Sequence, residues 1–245
     1  MPSLDTAGAR RFSRYAYPPH VRGLCGPDDE ATITALASGE DADPAPSAFE
    51  AFEGAFPYLA LIAAETGIGD PLDARVVDGY WLGGPASAEV DLLEVGHHVR
   101  DRFRPRMGLR WPTFSEALEA RPRPTHGFHV LCVYPWLGML REGVVQPSLS
   151  VLDRCRIRPA RVVSVTDDRA EVTSRPLDWA EGRLFLGEPI AESVQLIPGV
   201  DPAPGDVVAA HWDWACEVLD ERRLGWLLAD TTHALSVAAR ITPTP

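Results

Sequence analysis

From Val208 to Val218 the chain alternates with period two. Val208, Ala210, Trp212, Trp214, Cys216 and Val218 share one side, and His211, Asp213, Ala215 and Glu217 share the other. That pattern predicts one strand with a buried and a wetter face, placing His211 and Asp213 together on the wetter one. Upstream, Leu149 to Val165 opens a β-module, and Asp167–Asp168 suits a hairpin turn before Ala170–Arg175. Arg183–Leu186 and Ile190–Ile197 supply further strands. Asp220 then caps a helix whose Leu224, Leu227, Leu228, Thr231 and Leu235 form an apolar stripe able to cover an open side of a barrel.

The N-terminal part has the other periodicity. Residues 1–27 read as an extended segment in which Pro18–Pro19 stops any helix. A short helix is expected from Asp28 to about Gly39. Ser47 and Glu50 form a capping-box pattern for a helix reaching Gly67, with Phe49, Phe52, Phe56, Leu59 and Ala63 inward and a kink at Pro57. Asp70–Pro71 opens a helix that ends at Gly83–Gly84–Pro85, and another spans Ala86 to Phe103 with Val90, Leu93, Val99 and Phe103 inward. Thr113 and Glu116 mark a short capped helix before the Arg-Pro-Arg-Pro run at 121–124. The apolar run from Thr125 onward fits a buried strand or a buried helix equally well.

These elements give an α+β chain: a mainly helical part over 1–125, an apolar connecting segment over 126–149, and a small β-barrel with its closing C-terminal helix over 150–245. Composition narrows the class. The chain has 245 residues, 45% of them hydrophobic and 24% charged, which suits a soluble globular protein. Its net charge is −12 and every basic residue is arginine. Residues 151–245 hold 10 arginines against 15 carboxylates, so no basic face is expected for nucleic acid or an anionic membrane. The four cysteines form no Cys-x-x-Cys pair, and no signal peptide or membrane span is read, so reduced thiols in the cytoplasm are expected.

Candidate chemistry rests on few residues. Cys155 and His211 offer a soft thiolate and an imidazole, a pair suited to iron. His126, His129 and Cys132 form a weaker His-x-x-His-x-x-Cys set. On a helix its two histidines share a face; on a strand His129 and Cys132 point apart. Cys25 precedes a helix N-terminus, where a thiolate would be stabilised, and is read first as packing that turn. His97–His98 are read as surface or packing residues, Trp212 and Trp214 as core, and Trp136 and Trp179 as a candidate partner surface. Nucleotide-binding, nucleophile-elbow and zinc-protease motifs are absent from the sequence. The chain is therefore read as a non-enzyme with no assigned catalytic residue, the alternative being a thiol-dependent enzyme with Cys155, His211 and Asp213 in line.

The run Cys155-Arg-Ile-Arg-Pro159-Ala-Arg-Val162-Val163, followed later by Gly205-Asp206-Val-Val-Ala-Ala-His211 and the acidic helix start Asp220–Glu221, resembles the HypC-type hydrogenase maturation chaperones. In that family the cysteine lies at the N-terminus and a glycine follows the proline; here Cys155 is internal and Ala160 stands in that place. The resemblance covers the last third of the chain and implies an OB-like barrel. It also implies Cys155 and His211 as the residues that hold a transient Fe(CN)2CO iron group. The whole chain is similar to an uncharacterised bacterial family encoded near nickel–iron hydrogenase genes. Together these imply an accessory chaperone whose partner is the hydrogenase large-subunit precursor or another maturation factor. An interaction adaptor that kept the barrel without the metal chemistry is the other function they allow.

Overall fold

In the computed structural model, residues 6–27, 31–40, 42, 46–107 and 119–241 are described. The expected helix starts at Asp28 and at Thr113–Glu116 lie outside them, as does the side chain of Phe103. Helices fill the first half: α1 (Thr6–His20), α2 (Ala31–Ala37), α3 (Pro46–Glu50), α4 (Phe56–Glu65), α5 (Ala74–Leu82), α6 (Pro85–Glu89) and α7 (Leu92–Met107). A short α8 (His126–Phe128) runs into a π-helical turn (His129–Val133), then α9 (Trp136–Arg141) and α10 (Val145–Cys155). Seven strands follow, β1 (Arg158–Thr166), β2 (Arg169–Ser174), β3 (Leu177–Ala180), β4 (Arg183–Leu186), β5 (Ile190–Leu196), β6 (Val207–His211) and β7 (Trp214–Val218), before α11 (Glu221–Arg240).

Five strands close a barrel in the order β1-β2-β5-β7-β6, with β6 returning to β1 and β5 parallel to β7. Alternation fills it: Ala160 and Val162 on β1, Ala170 and Val172 on β2, Val194 on β5 and Val208 on β6 are all buried. One end holds an ion pair rather than hydrocarbon. Arg158, 3% exposed, bonds Glu192 at 2.7 Å and the Trp212 carbonyl at 2.8 Å, and Ser174 also donates to Glu192. Burial opposes ionisation of Glu192, but the Arg158 guanidinium and the Ser174 hydroxyl outweigh it and hold the carboxyl below its ordinary range. The β3–β4 hairpin stands apart from the barrel as its own two-stranded sheet.

Several expected elements are corrected. The run Val208–Val218 is a tight β6–β7 hairpin, not one strand: it turns at Trp212–Asp213, where Trp212 takes φ +52°. Leu149 to Cys155 is helix, and the first strand begins at Arg158. Residues 6–20 form a helix that continues through Pro18 and Pro19. Pro57 sits in the first turn of α4, where its missing N–H costs nothing, so it starts that helix and does not kink a longer one. The expected helix over Ala86–Phe103 is broken, with Val90 extended between α6 and α7, and Leu93 is 51% exposed. Asp73, not Asp70, caps α5 by accepting from the Arg75 N–H at 2.8 Å.

The helical core is aromatic. Phe12 meets Phe49 and Phe52 edge-on at 5.4 and 5.3 Å, and Tyr15 stacks on Trp81 at 5.4 Å. Asp220 caps α11 as expected, accepting from Arg223 at 2.8 Å. That helix packs on α5, α8, the π-helical turn, β1 and β4, so it joins the two halves, and Leu228 is left exposed. A second seam is ionic. Arg11 lies 3.1 Å from Asp78 and 3.5 Å from Glu217, and the Tyr15 hydroxyl donates to Glu217 at 2.6 Å. Arg223 closes the cluster from α11.

Candidate metal centre

Three donors meet where the halves join. His126 opens α8, Cys155 ends α10 and His211 ends β6; their ligand atoms all lie within 4.8 Å of one another, and all three residues are buried. The His126 and His211 rings meet edge-on at 5.2 Å, and the Trp81 ring lies 4.6 Å from His126 and 5.8 Å from His211.

Local chain chemistry sets each donor. Pro19 has no N–H, so the Tyr15 carbonyl four residues before it loses its usual helical partner. His211 supplies the replacement: its Nδ1 lies 2.7 Å from that carbonyl and must carry the proton. The Nε2 lone pair is then bare, and this buried atom has no hydrogen-bond partner among the described residues. A ring N–H pinned by a backbone carbonyl, with the other nitrogen free, is the arrangement in which a histidine binds a metal. The double proline therefore provides an acceptor for the site.

His126 enters from a turn capped by Thr125, whose Oγ1 accepts from the Phe128 N–H at 3.2 Å. Its Nε2 lies 2.7 Å from the Cys155 carbonyl, and its Nδ1 lies 3.2 Å from the Tyr80 hydroxyl. That hydroxyl also reaches the Gly54 carbonyl at 2.9 Å. Cys155 is held at the end of α10 by the next residue, since Arg156 pairs with Asp153 at 2.9 Å and donates to the Arg175 carbonyl at 2.6 Å.

Burial keeps these donors uncharged near neutral pH. It holds His126 down to about 4 and His211 well below its ordinary value, and pushes the Cys155 thiol up to about 12. A cation entering here displaces the thiol proton, and the thiolate it creates is its charge partner. The donors line a cavity of about 250 Å³ walled by Trp81, Trp136, Trp212 and Tyr134, with no acidic side chain among the described lining residues. An outer cleft of about 510 Å³ adjoins it, sharing Leu24, Cys25, Gly54, His129 and Tyr134.

The other sequence candidates are not among the three donors. His129 starts the π-helical turn and faces Tyr58, whose hydroxyl lies 3.1 Å from its Nδ1. Cys132 points its Sγ at the Ala234 carbonyl of α11, 3.6 Å away. His126 and His129 lie one α-helical turn apart and both line the cavity, as expected of a helix, but only His126 meets Cys155 and His211. Asp213 sits in the hairpin turn, paired with Arg22 and, at 3.5 Å, with Arg154. His211 Nδ1 is held by the Tyr15 carbonyl, so Asp213 does not take the orienting place that a Cys155–His211–Asp213 line assigns it. Cys25 lines both cavities, and burial of its thiol pushes it up to about 12, which favours packing of that turn over a stabilised thiolate. His97 pairs with Glu94 on the surface at 3.7 Å, His98 packs on Tyr58, and Trp214 packs edge-on against Tyr17. Two contributors escaped the sequence reading, the Tyr15 carbonyl and the Tyr80 hydroxyl. Only the first left a trace there, a proline four residues downstream.

No helix among the described residues is long and apolar enough to cross a membrane. No curated protein and no solved structure matches the chain. Residues 4–244 match the sequence model of a family of unknown function (DUF6390), and the chain belongs to that family.

Proposed function

We propose that this protein is an accessory chaperone for nickel–iron hydrogenase assembly that carries an iron group at Cys155 and His211. The cargo is Fe(CN)2CO, and the recipient is the hydrogenase large-subunit precursor or another maturation factor. The observation that carries the reading is the meeting of Cys155, just before the first barrel strand, with His211, at the end of β6, in one buried pocket. A closed five-stranded barrel with a C-terminal helix and the resemblance of the two flanking motifs support it. Low-spin iron with strong-field diatomic ligands accepts a thiolate well, and an aromatic cavity of about 250 Å³ has room for ligands that need no charged partner.

The test is infrared spectroscopy of the protein purified without oxygen from a hydrogenase-producing host, with iron quantified in the same sample. Cyanide and carbonyl stretching bands are expected, and Cys155→Ala should remove them. A preparation with neither bands nor iron that still captures a hydrogenase component is instead an adaptor. Absence of bands, iron and any such partner overturns the hydrogenase reading.

A further inference from the structure

We infer that His126, supplied by the helical half, is a third ligand, and that Tyr80 fixes its metal-binding tautomer, so the chain alone forms a Cys-His-His site for a divalent d-block ion. The inference rests on the reading of Cys155 and His211 as ligands and extends it to a residue outside the barrel.

The hydrogen-bond inventory carries the argument. Neutral His126 has one ring proton. With it on Nε2, the ring donates to the Cys155 carbonyl at 2.7 Å, and Tyr80 must turn its single proton toward Nδ1, away from Gly54. With it on Nδ1, the ring donates to the Tyr80 oxygen at 3.2 Å and Tyr80 donates to the Gly54 carbonyl at 2.9 Å. That form satisfies Tyr80 and Gly54 but sets a bare Nε2 against the Cys155 carbonyl, so the metal-free ring keeps its proton on Nε2 and a cation that takes the Nε2 lone pair selects the Nδ1–H form. The matching bare Nε2 of His211 is already set by Tyr15. Each histidine thus has a backbone-anchored way to present one lone pair to one point. Such outer partners are what orient ligating histidines.

Protons balance without any co-reactant. The metal forms bonds to Cys155 Sγ and to the two Nε2 atoms. Cys155 gives up its S–H proton to solvent, while the His126 proton exchanges from Nε2 to Nδ1 and stays on the ring. One proton is released per ion. One thiolate and two imidazoles suit the borderline ions zinc and ferrous iron, and three protein ligands leave a fourth position open toward the cavity. Net charge there is +1, which favours an anionic fourth ligand.

Cobalt(II) is the probe, titrated into the full-length, metal-free chain under anaerobic conditions. The expected result is a near-ultraviolet thiolate-to-cobalt band with four-coordinate visible bands, and release of one proton per ion. Cys155→Ser should abolish the charge-transfer band. His126→Gln should weaken binding at least ~10-fold and change the visible bands. Tyr80→Phe keeps ring and volume; it should weaken binding by about 10–100-fold while the charge-transfer band persists. Circular dichroism checks each variant's fold; if His126→Gln does not fold, Tyr80→Phe and nitrogen-15 tautomer assignment of His126 in the wild type decide. An unchanged cobalt affinity in both His126→Gln and Tyr80→Phe overturns the inference, as does absence of cobalt binding by the wild type. Cobalt binding without diatomic infrared bands, iron or capture of a hydrogenase component sinks the hydrogenase reading alone. Bands lost in Cys155→Ala but indifferent to His126 sink this one alone.

Discussion

Acidification should unfold this protein steeply, and the site residues are the reason. His126 is held down to about 4 and His129 to about 3, both chiefly by burial, and His211 is lowered in the same way. In the unfolded chain each returns to about 6.5. A folded value below the unfolded one means the unfolded state binds more protons as pH falls. Stability is therefore full above about 6.5 and is lost from there down toward the folded values. Each such group costs about 1.4 kcal/mol per pH unit inside that window. Three together give a slope near 4 kcal/mol per unit at pH 5.5, and His98, also held to about 4 by burial, adds in the same direction. Total stability of a domain is about 5–15 kcal/mol, and the metal-free chain should lose roughly 6–8 kcal/mol of it by about pH 5. Urea titrations at half-unit steps from pH 7.5 to 5 measure the slope. His129→Phe should remove roughly a quarter of it, because one of four titrating rings is gone. Stability flat to within about 0.5 kcal/mol between pH 7 and 5.5 would refute the reasoning and mean that the rings are hydrated in solution.

Other substitutions test the frame. Tyr15→Phe removes the 2.6 Å bond to Glu217 but keeps the backbone carbonyl that holds His211; it should cost about 1.5–3 kcal/mol in thermal unfolding and leave cobalt affinity unchanged. Arg158→Met strands Glu192 at the barrel end and should cost about 3–5 kcal/mol, read by urea denaturation at pH 7. Gly83→Ala meets φ +73° and places a methyl 2.4 Å from the Asp230 Cβ, so a loss of about 2–4 kcal/mol is expected in the same assay.

The barrel was legible because its information is local. Asp167–Asp168 marks the β1–β2 turn, Arg183–Leu186 matches β4, and Asp220 caps α11, each from a few residues of pattern and turn chemistry. What failed depended on distant partners. Period-two alternation continues unbroken across Trp212–Asp213, so nothing in it announces a hairpin; the turn is held by the Arg158 bond to the Trp212 carbonyl and by arginines on Asp213. Pro18 and Pro19 read as a helix stop by propensity alone, whereas burial of Phe12, Tyr15 and Ala16 holds the helix through them. Cys155 and His211 were found from their motifs. His126 was read as one of a set with His129 and Cys132, because local spacing cannot show that His126 meets Cys155 and His211 while His129 turns to Tyr58 and Cys132 to α11.

The bond from His211 to the Tyr15 carbonyl spans 196 residues. Its two ends meet only after the loop between them has closed, a late event in folding for contacts of such sequence separation. Bond and donor set therefore become complete together, once that loop has closed. A nascent or clipped chain lacking the β6–β7 hairpin has two of the three donors and lacks the lone pair that Tyr15 sets on His211. If the proposed site holds a metal, its full donor set therefore exists only in molecules in which the N-terminal helix and the β6–β7 hairpin have met.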